Sequence, residues 1–199
     1  MAVTADKVKQ LRDKTGAGMM DCKRALEQAG GDMEKAVSIL REKGAAVLSK
    51  REARAALEGV IACYIHTGDK IGVMVELNCE TDFVAKTDEF KELAHDIAMH
   101  ISWSQPEYIA REDIPEHRLE QEREIHRQWA LNQGKPEAAI PKIVEGRMEK
   151  FYSTVVLMDQ PFIKNEEITI GELVREKAGK LGEKIVVRRF TRYRVGEIG

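Results

Sequence analysis

The side chains that most readily bind metal or transfer protons in this chain are five histidines, three cysteines and 34 acidic residues. The histidines, His66, His95, His100, His117 and His126, include no pair spaced four apart. His95 and His100 stand five apart on one helical pattern and do not share a face, whereas metal ligands must converge. Cys22, Cys63 and Cys79 form no CxxC pair and are odd in number. That fits reduced, mostly buried thiols and not a disulfide framework. There is no P-loop, no dinucleotide glycine signature after a strand, no HExxH and no serine or cysteine nucleophile motif. Carboxylate pairs mean little against so many acids. The expectation is a protein that is not an enzyme and has no cofactor and no metal of its own.

One stretch still asks for a role. Thr81-Asp82-Phe83-Val84-Ala85-Lys86-Thr87-Asp88-Glu89-Phe90 joins the clearest β-pattern to the clearest helix. From Phe90 the residues Leu93, Ala94, Ile97, Ala98 and Ile101 recur at three- and four-residue steps, the stripe of a buried helix. Thr87 suits its N-cap, and Asp88 and Glu89 suit the positive end of its dipole. Phe83 lies seven residues before Phe90, yet the residues one turn on are Lys86 and Thr87, poor core material. Two readings stand: a core plug, or a probe pushed into a partner.

Composition narrows the partners. A hydrophobic fraction of 43% and a formal net charge of −2 over 199 residues describe an ordinary globular chain without the bulk attraction to nucleic acid that a basic face provides. No apolar run is long enough to span a bilayer, and the N-terminus carries neither a secretory pattern nor an Arg- and Ser-rich leader. The expectation is a cytoplasmic protein with no nucleic acid and no membrane partner.

The elements that position the stretch follow from periodicity. Thr4 caps a helix bearing Val8 and Leu11. A glycine turn at Thr15-Gly16-Ala17-Gly18 leads to a second helix with Cys22, Ala25, Leu26 and Ala29, ended by Gly30-Gly31. Asp32 caps a third, with Ala36, Val37, Ile39 and Leu40 inward and Gly44 as its C′ residue. Met19 and Met20 are adjacent, so one is expected to fill the small core and the other to face solvent as an adaptable contact. Residues 45–58 read as a helical linker whose Lys50, Arg51 and Arg54 form a solvated face. The period then changes to two. Ile61, Cys63 and Ile65 alternate with Val60, Ala62 and Tyr64; after a Gly68-Asp69 turn, Val73, Val75 and Leu77 alternate with Met74, Glu76 and Asn78, predicting an antiparallel hairpin. Beyond Pro106, Pro115 opens a helix with Leu119, Ile125 and Trp129. Pro141 opens another with Val144, Met148, Phe151 and Val155. A helix from Ile170 ends at Gly182, and a last strand runs to about Val195. Its Arg188, Arg189, Arg192 and Arg194 read as a solvated sheet face with acidic neighbours. The fold class is α+β: a small three-helix domain over 1–55 and a core of antiparallel sheet packed with helices over 56–199.

The first segment resembles a ubiquitin-associated-type domain, a module that binds proteins. Two further blocks are more specific. Leu11-Arg12-Asp13-Lys14-Thr15-Gly16-Ala17-Gly18-Met19-Met20-Asp21-Cys22-Lys23, followed by Glu76-Leu77-Asn78-Cys79-Glu80-Thr81-Asp82-Phe83-Val84-Ala85, resembles the elongation factor Ts family. Lys142 to Met148, Gln160-Pro161-Phe162-Ile163, Arg189-Phe190 and Val195-Gly196-Glu197 are similar to its later blocks. Longer members carry a duplicated core subdomain and an inserted helical hairpin. The roughly 140 residues after the linker, about one domain, leave room for one copy. The resemblance implies the short form of the family, in which a homodimer supplies what the long form has in one chain, and no C-terminal disulfide, since no cysteine follows Cys79. It also implies a guanine-nucleotide exchange factor that meets elongation factor Tu in its GDP-bound and nucleotide-free states. Thr81, Asp82, Phe83 and Val84 match the block that intrudes on that GTPase's Mg²⁺ and phosphate region. Arg12, Met19 and Met20 match the positions by which the N-terminal domain docks. The rival reading is a ubiquitin-associated-type adaptor without exchange activity.

Overall fold

The structure, a computed structural model, describes residues 3–15, 17–49 and 53–197, without the side chains of residue 41 and residues 45–49. Gly16 of the glycine turn, and Lys50 and Arg51 of the linker, lie outside the described residues. The chain divides into two compact units. One holds Met1–Val60, Leu77–Lys91 and Val174–Val186; the other holds Ile61–Glu76, Glu92–Leu173 and Val187–Gly199.

The first unit begins with three helices, α1 (Ala5–Thr15), α2 (Met19–Gln28) and α3 (Met33–Ser49). Helices α1 and α3 start as their residues dictate. Thr4 Oγ1 accepts the Lys7 N–H and Asp32 Oδ1 accepts the Lys35 N–H, the side-chain capping that satisfies an orphan donor of a first turn. Val8, Leu11, Cys22, Ala25, Leu26 and Ala36 form one buried cluster, with Val37, Ile39 and Leu40 packed against it. Gly30 and Gly31 end α2 with positive φ. Gly44 does not end α3, contrary to the reading above: the helix runs on to Ser49. A mid-helix glycine costs about 1 kcal/mol against alanine, and the Ala45-Ala46-Val47-Leu48 that follows favours continuing.

Strands β1 (Glu58–Ile65) and β2 (Ile71–Cys79) form the predicted hairpin, and β5 (Val186–Arg194) joins the far side of β2, giving the sheet order β1-β2-β5. Gly59 lets the strands approach at the first unit's end. A Cβ there would stand 2.1 Å from the Leu77 carbonyl oxygen, so no side chain fits. On β2, Val73, Val75, Leu77 and Cys79 are buried. On β1 the apolar set Ile61, Cys63 and Ile65 is exposed, while Val60, Ala62 and Tyr64 are half-buried. Helix α5 (Asp88–Ser104) buries Phe90, Leu93, Ala94, Ile97, Ala98 and Ile101, the whole predicted stripe.

The second unit also contains α6 (Glu116–Asn132) and α7 (Ile140–Val155), joined by a short loop into a helical hairpin. The single-copy chain therefore still includes such a hairpin. Met148, Phe151, Val155, Val156 and Ile114 form its core. Ile125 on α6 is exposed. A buried polar knot lies at one end of α5. His100 Nδ1 accepts the Ile163 N–H, so the neutral ring carries its hydrogen on Nε2, which donates to Gln160 Oε1 at 3.0 Å. Burial holds the His100 pKa below its usual value. Strands β3 (Pro161–Phe162) and β4 (Asn165–Thr169) pair as a small second sheet, and α8 (Ile170–Leu181) leads back into the first unit. Of the terminal basic run, Arg189 pairs with Glu76 and Arg192 with Glu197.

Candidate partner-binding site

Strand β2 ends at Cys79, and Glu80 and Thr81 turn the chain into the four-residue helix α4 (Asp82–Ala85). Thr81 is where the turn is made. Its Oγ1 accepts the Val84 N–H at 3.4 Å, capping α4. Its hydroxyl donates to Glu183 Oε1 at 2.6 Å, and its backbone N–H donates to Glu183 Oε2 at 3.0 Å. Its carbonyl accepts the Cys79 thiol at 3.1 Å and the Ala85 N–H at 3.3 Å. Every polar group of Thr81 is engaged inside the chain.

The hold is reciprocal. Glu183 Oε2 also accepts the Glu80 N–H at 3.1 Å. In return Glu80 Oε1 accepts the Lys184 N–H at 2.7 Å, while its Oε2 accepts Arg54 Nη1 at 2.9 Å. Lys184 Nζ closes the group on the Arg54 carbonyl. Arg54, read from sequence as part of a solvated face, is thus one arm of this ion pair. Charge-assisted bonds of these lengths are the strong kind. Gly182, at φ +71°, ends α8 in the left-handed cap that turns Glu183 out of the helix. Burial and the nearby Glu183 carboxylate push the Cys79 thiol up to about 11, so it stays a donor at neutral pH.

On this support sits Phe83, 80% exposed. The core-plug reading is overturned. The buried place on α4 belongs to Ala85, and the helix breaks at Lys86–Thr87, so Phe83 does not share the Phe90 stripe. Thr87 closes the joint: its Oγ1 accepts the Phe90 N–H, and its hydroxyl donates to the Val84 carbonyl. Asp82 and Val84 are half-buried. The Asp82 carboxylate meets Lys86 Nζ at 2.6 Å, and that hydrogen bond holds its pKa below the usual carboxylate value.

The other predicted site residues lie on the helical bundle. Arg12 is exposed on α1, and Met19 and Met20 open α2, 46% and 62% exposed. One methionine was expected inside; both face out, because Cys22, Ala25 and Leu26 already fill the inner face of α2. Glu183, Glu80 and Cys79 went unrecognised as supports of the turn. Glu183 is 102 residues from Thr81, and nothing local marks the pairing. Among the described residues no group of three or more His, Cys, Asp or Glu side chains could hold a metal ion, and no helix is long and apolar enough to cross a membrane.

Comparison with known proteins gives a consistent result. A family model described as elongation factor TS matches residues 5–197. Elongation factor Ts of Carboxydothermus hydrogenoformans is 60% identical over 195 residues, covering 98% of this chain and 90% of the relative. The protein of the same name from Moorella thermoacetica is 57% identical, covering 98% and 96%. That of Coprothermobacter proteolyticus is 55% identical, covering 99% and 100%.

Proposed function

The chain belongs to the elongation factor Ts family, translation elongation factors that serve protein biosynthesis, and on that premise we propose that it is a guanine-nucleotide exchange factor for elongation factor Tu. The observation that carries this reading is Phe83, a large apolar side chain held out into solvent on a turn with no slack in its hydrogen bonding. Exposing an aromatic ring costs solvation, and a fixed protruding ring is shaped for a pocket in a partner.

The exchange mechanism is one of linkage. A factor that binds the nucleotide-free GTPase better than the GDP-bound one weakens GDP by the ratio in which GDP weakens the factor. Speeding GDP release by ~10³ requires about 4 kcal/mol of stabilisation of the release transition state. Phe83 wedges between side chains that support the switch region, and the Mg²⁺ there loses its ordered coordination. Asp82 enters the same neighbourhood, leaving Lys86. Thr81 holds the turn and Val84 backs it. The chain itself binds neither Mg²⁺ nor GDP and makes or breaks no covalent bond. Residues 1–55 form the docking domain, with Arg12, Met19 and Met20 at the contact, and residues 56–199 form the core that dimerises and carries the wedge.

Dimerisation has its own support. Ile65 and Gly72 share a face, since a Cβ on Gly72 would stand 3.1 Å from Ile65 Cδ1. Met74, two residues on, shares it too. With exposed Ile61 and Cys63, this makes an apolar sheet face of the kind a second copy covers in a two-fold interface.

The deciding experiment loads purified elongation factor Tu with fluorescent GDP and follows its release after addition of this chain. The expected result is acceleration of about a hundredfold or more, or at least 2.7 kcal/mol. A chain that only tethers a partner leaves the release rate unchanged, and that outcome refutes the proposal.

A further inference from the structure

We propose that Glu183 is the positioning residue that aims Phe83 at its target; the inference rests on the exchange reading above. An aromatic ring that is 80% exposed has little packing of its own to fix its direction. Its aim must therefore come from the backbone beneath it. Among the described residues, the three hydrogen bonds accepted by the Glu183 carboxylate come from Glu80 and Thr81, ahead of the short helix that carries Phe83. One of them grips the Thr81 hydroxyl, whose oxygen also caps that helix at Val84. Glu183 thus reaches the backbone ahead of Phe83 directly, through the Glu80 and Thr81 N–H groups, and reaches the α4 cap through the Thr81 hydroxyl. The return bond from the Lys184 N–H to Glu80 stops the two loops from sliding past each other. Misplacing a reacting or binding group by about 1 Å can cost on the order of a hundredfold in rate, so a support of this kind acts on the maximal rate and leaves docking affinity alone.

The test is stopped-flow release of fluorescent GDP from elongation factor Tu at increasing concentrations of the full chain. It compares wild type, Glu183→Gln, Phe83→Ala and the double variant. Glutamine keeps the shape but removes the charge, so the Glu80 and Thr81 N–H groups lose their charge-assisted acceptor and the Thr81 hydroxyl must accept from the NH₂ instead of donating. The expected result for Glu183→Gln is a maximal rate reduced about tenfold, with the half-saturating concentration within twofold of wild type. In the Phe83→Ala background the same change should have little further effect, since the aim of an absent ring does not matter. Thr81→Val, which lacks the hydroxyl, should reproduce the loss and Thr81→Ser should restore it, an arm that holds even where Glu183→Gln fails to fold. If Glu183→Gln slows release equally with and without Phe83, Glu183 is a general stabiliser and the inference is overturned. An unchanged rate in Glu183→Gln beside a slow Phe83→Ala overturns it as well, leaving the exchange reading intact. A normal rate in Phe83→Ala removes the wedge and the inference together.

Discussion

Phe83 and the pair Met19–Met20 are alike in being apolar side chains turned to solvent, and they are built in opposite ways. Phe83 is a stiff ring on a backbone pinned by carboxylates, a thiol and a threonine cap. The methionines are unbranched, with several rotatable bonds, at the uncapped start of α2, where Gly18 supplies no side-chain bond. A ring whose direction is fixed can deform what it meets. A thioether that adapts can hold a surface without deforming it. On the function proposed above, the two designs would separate pushing from holding.

The contrast is most exposed to failure at Phe83. Phe83→Ala should lower the maximal GDP-release rate roughly 10- to 100-fold, about 1.4–2.7 kcal/mol of transition-state stabilisation. Urea unfolding should move by no more than about 0.5 kcal/mol, as for other exposed positions; a large loss of stability would return Phe83 to the core. Next in size, Met19→Ala with Met20→Ala should raise the half-saturating concentration about fivefold, or about 1 kcal/mol, at an unchanged maximal rate. Leucine at both positions should come within about twofold of wild type, because adaptable apolar surface is what counts there. A fall in maximal rate in this variant would mean that the methionines push as well.

Alkaline pH tests the support rather than the ring. Cys79 loses its proton near its ordinary value of 9.0 when unfolded and only at about 11 when folded. Its contribution is complete below pH 9 and declines as pH rises from 9 to 11, since the unfolded chain gives up the proton first. Urea unfolding of wild type and Cys79→Ala should therefore show a stability difference that shrinks across that window; a constant difference would show that burial and Glu183 do not favour the neutral thiol. The smallest effect is expected at Lys86. Its bond to Asp82 is solvent-exposed, so Lys86→Ala should change thermal stability and release rate less than twofold in the unfolding constant and the rate alike. A larger loss would make Lys86 part of the contact.

Much of this was open to reading from the residues. The α5 stripe from Phe90 to Ile101, the Thr4, Asp32 and Thr87 caps and the hairpin all follow from period and capping chemistry, which act locally. Three features did not. On β1 both alternating sets are apolar, so a period of two could not say whether Ile61, Cys63 and Ile65 face in or out. Gly44 has a terminator's identity, but its conformation is set by the helix formers after it. Spacing alone left Phe83 open between plug and probe, the resemblance favoured the probe, and the Glu183 support of the turn before it, reached across 102 residues, has no local mark. The exposed residues of the site carry local marks, and the residue holding them steady carries none.

The Glu80–Glu183 exchange also sets an order of events in synthesis. At about 5–20 residues per second, the ribosome releases Glu183 some 5–20 s after Thr81. Through that interval the Thr81 hydroxyl and N–H and the Glu80 N–H lack their carboxylate, however well β2 and α5 have formed. A loop closed over a hundred residues is also slow to nucleate compared with local structure. Nascent chains stopped short of Gly182 would therefore carry Phe83 on a turn that has its threonine cap and not its carboxylate clamp.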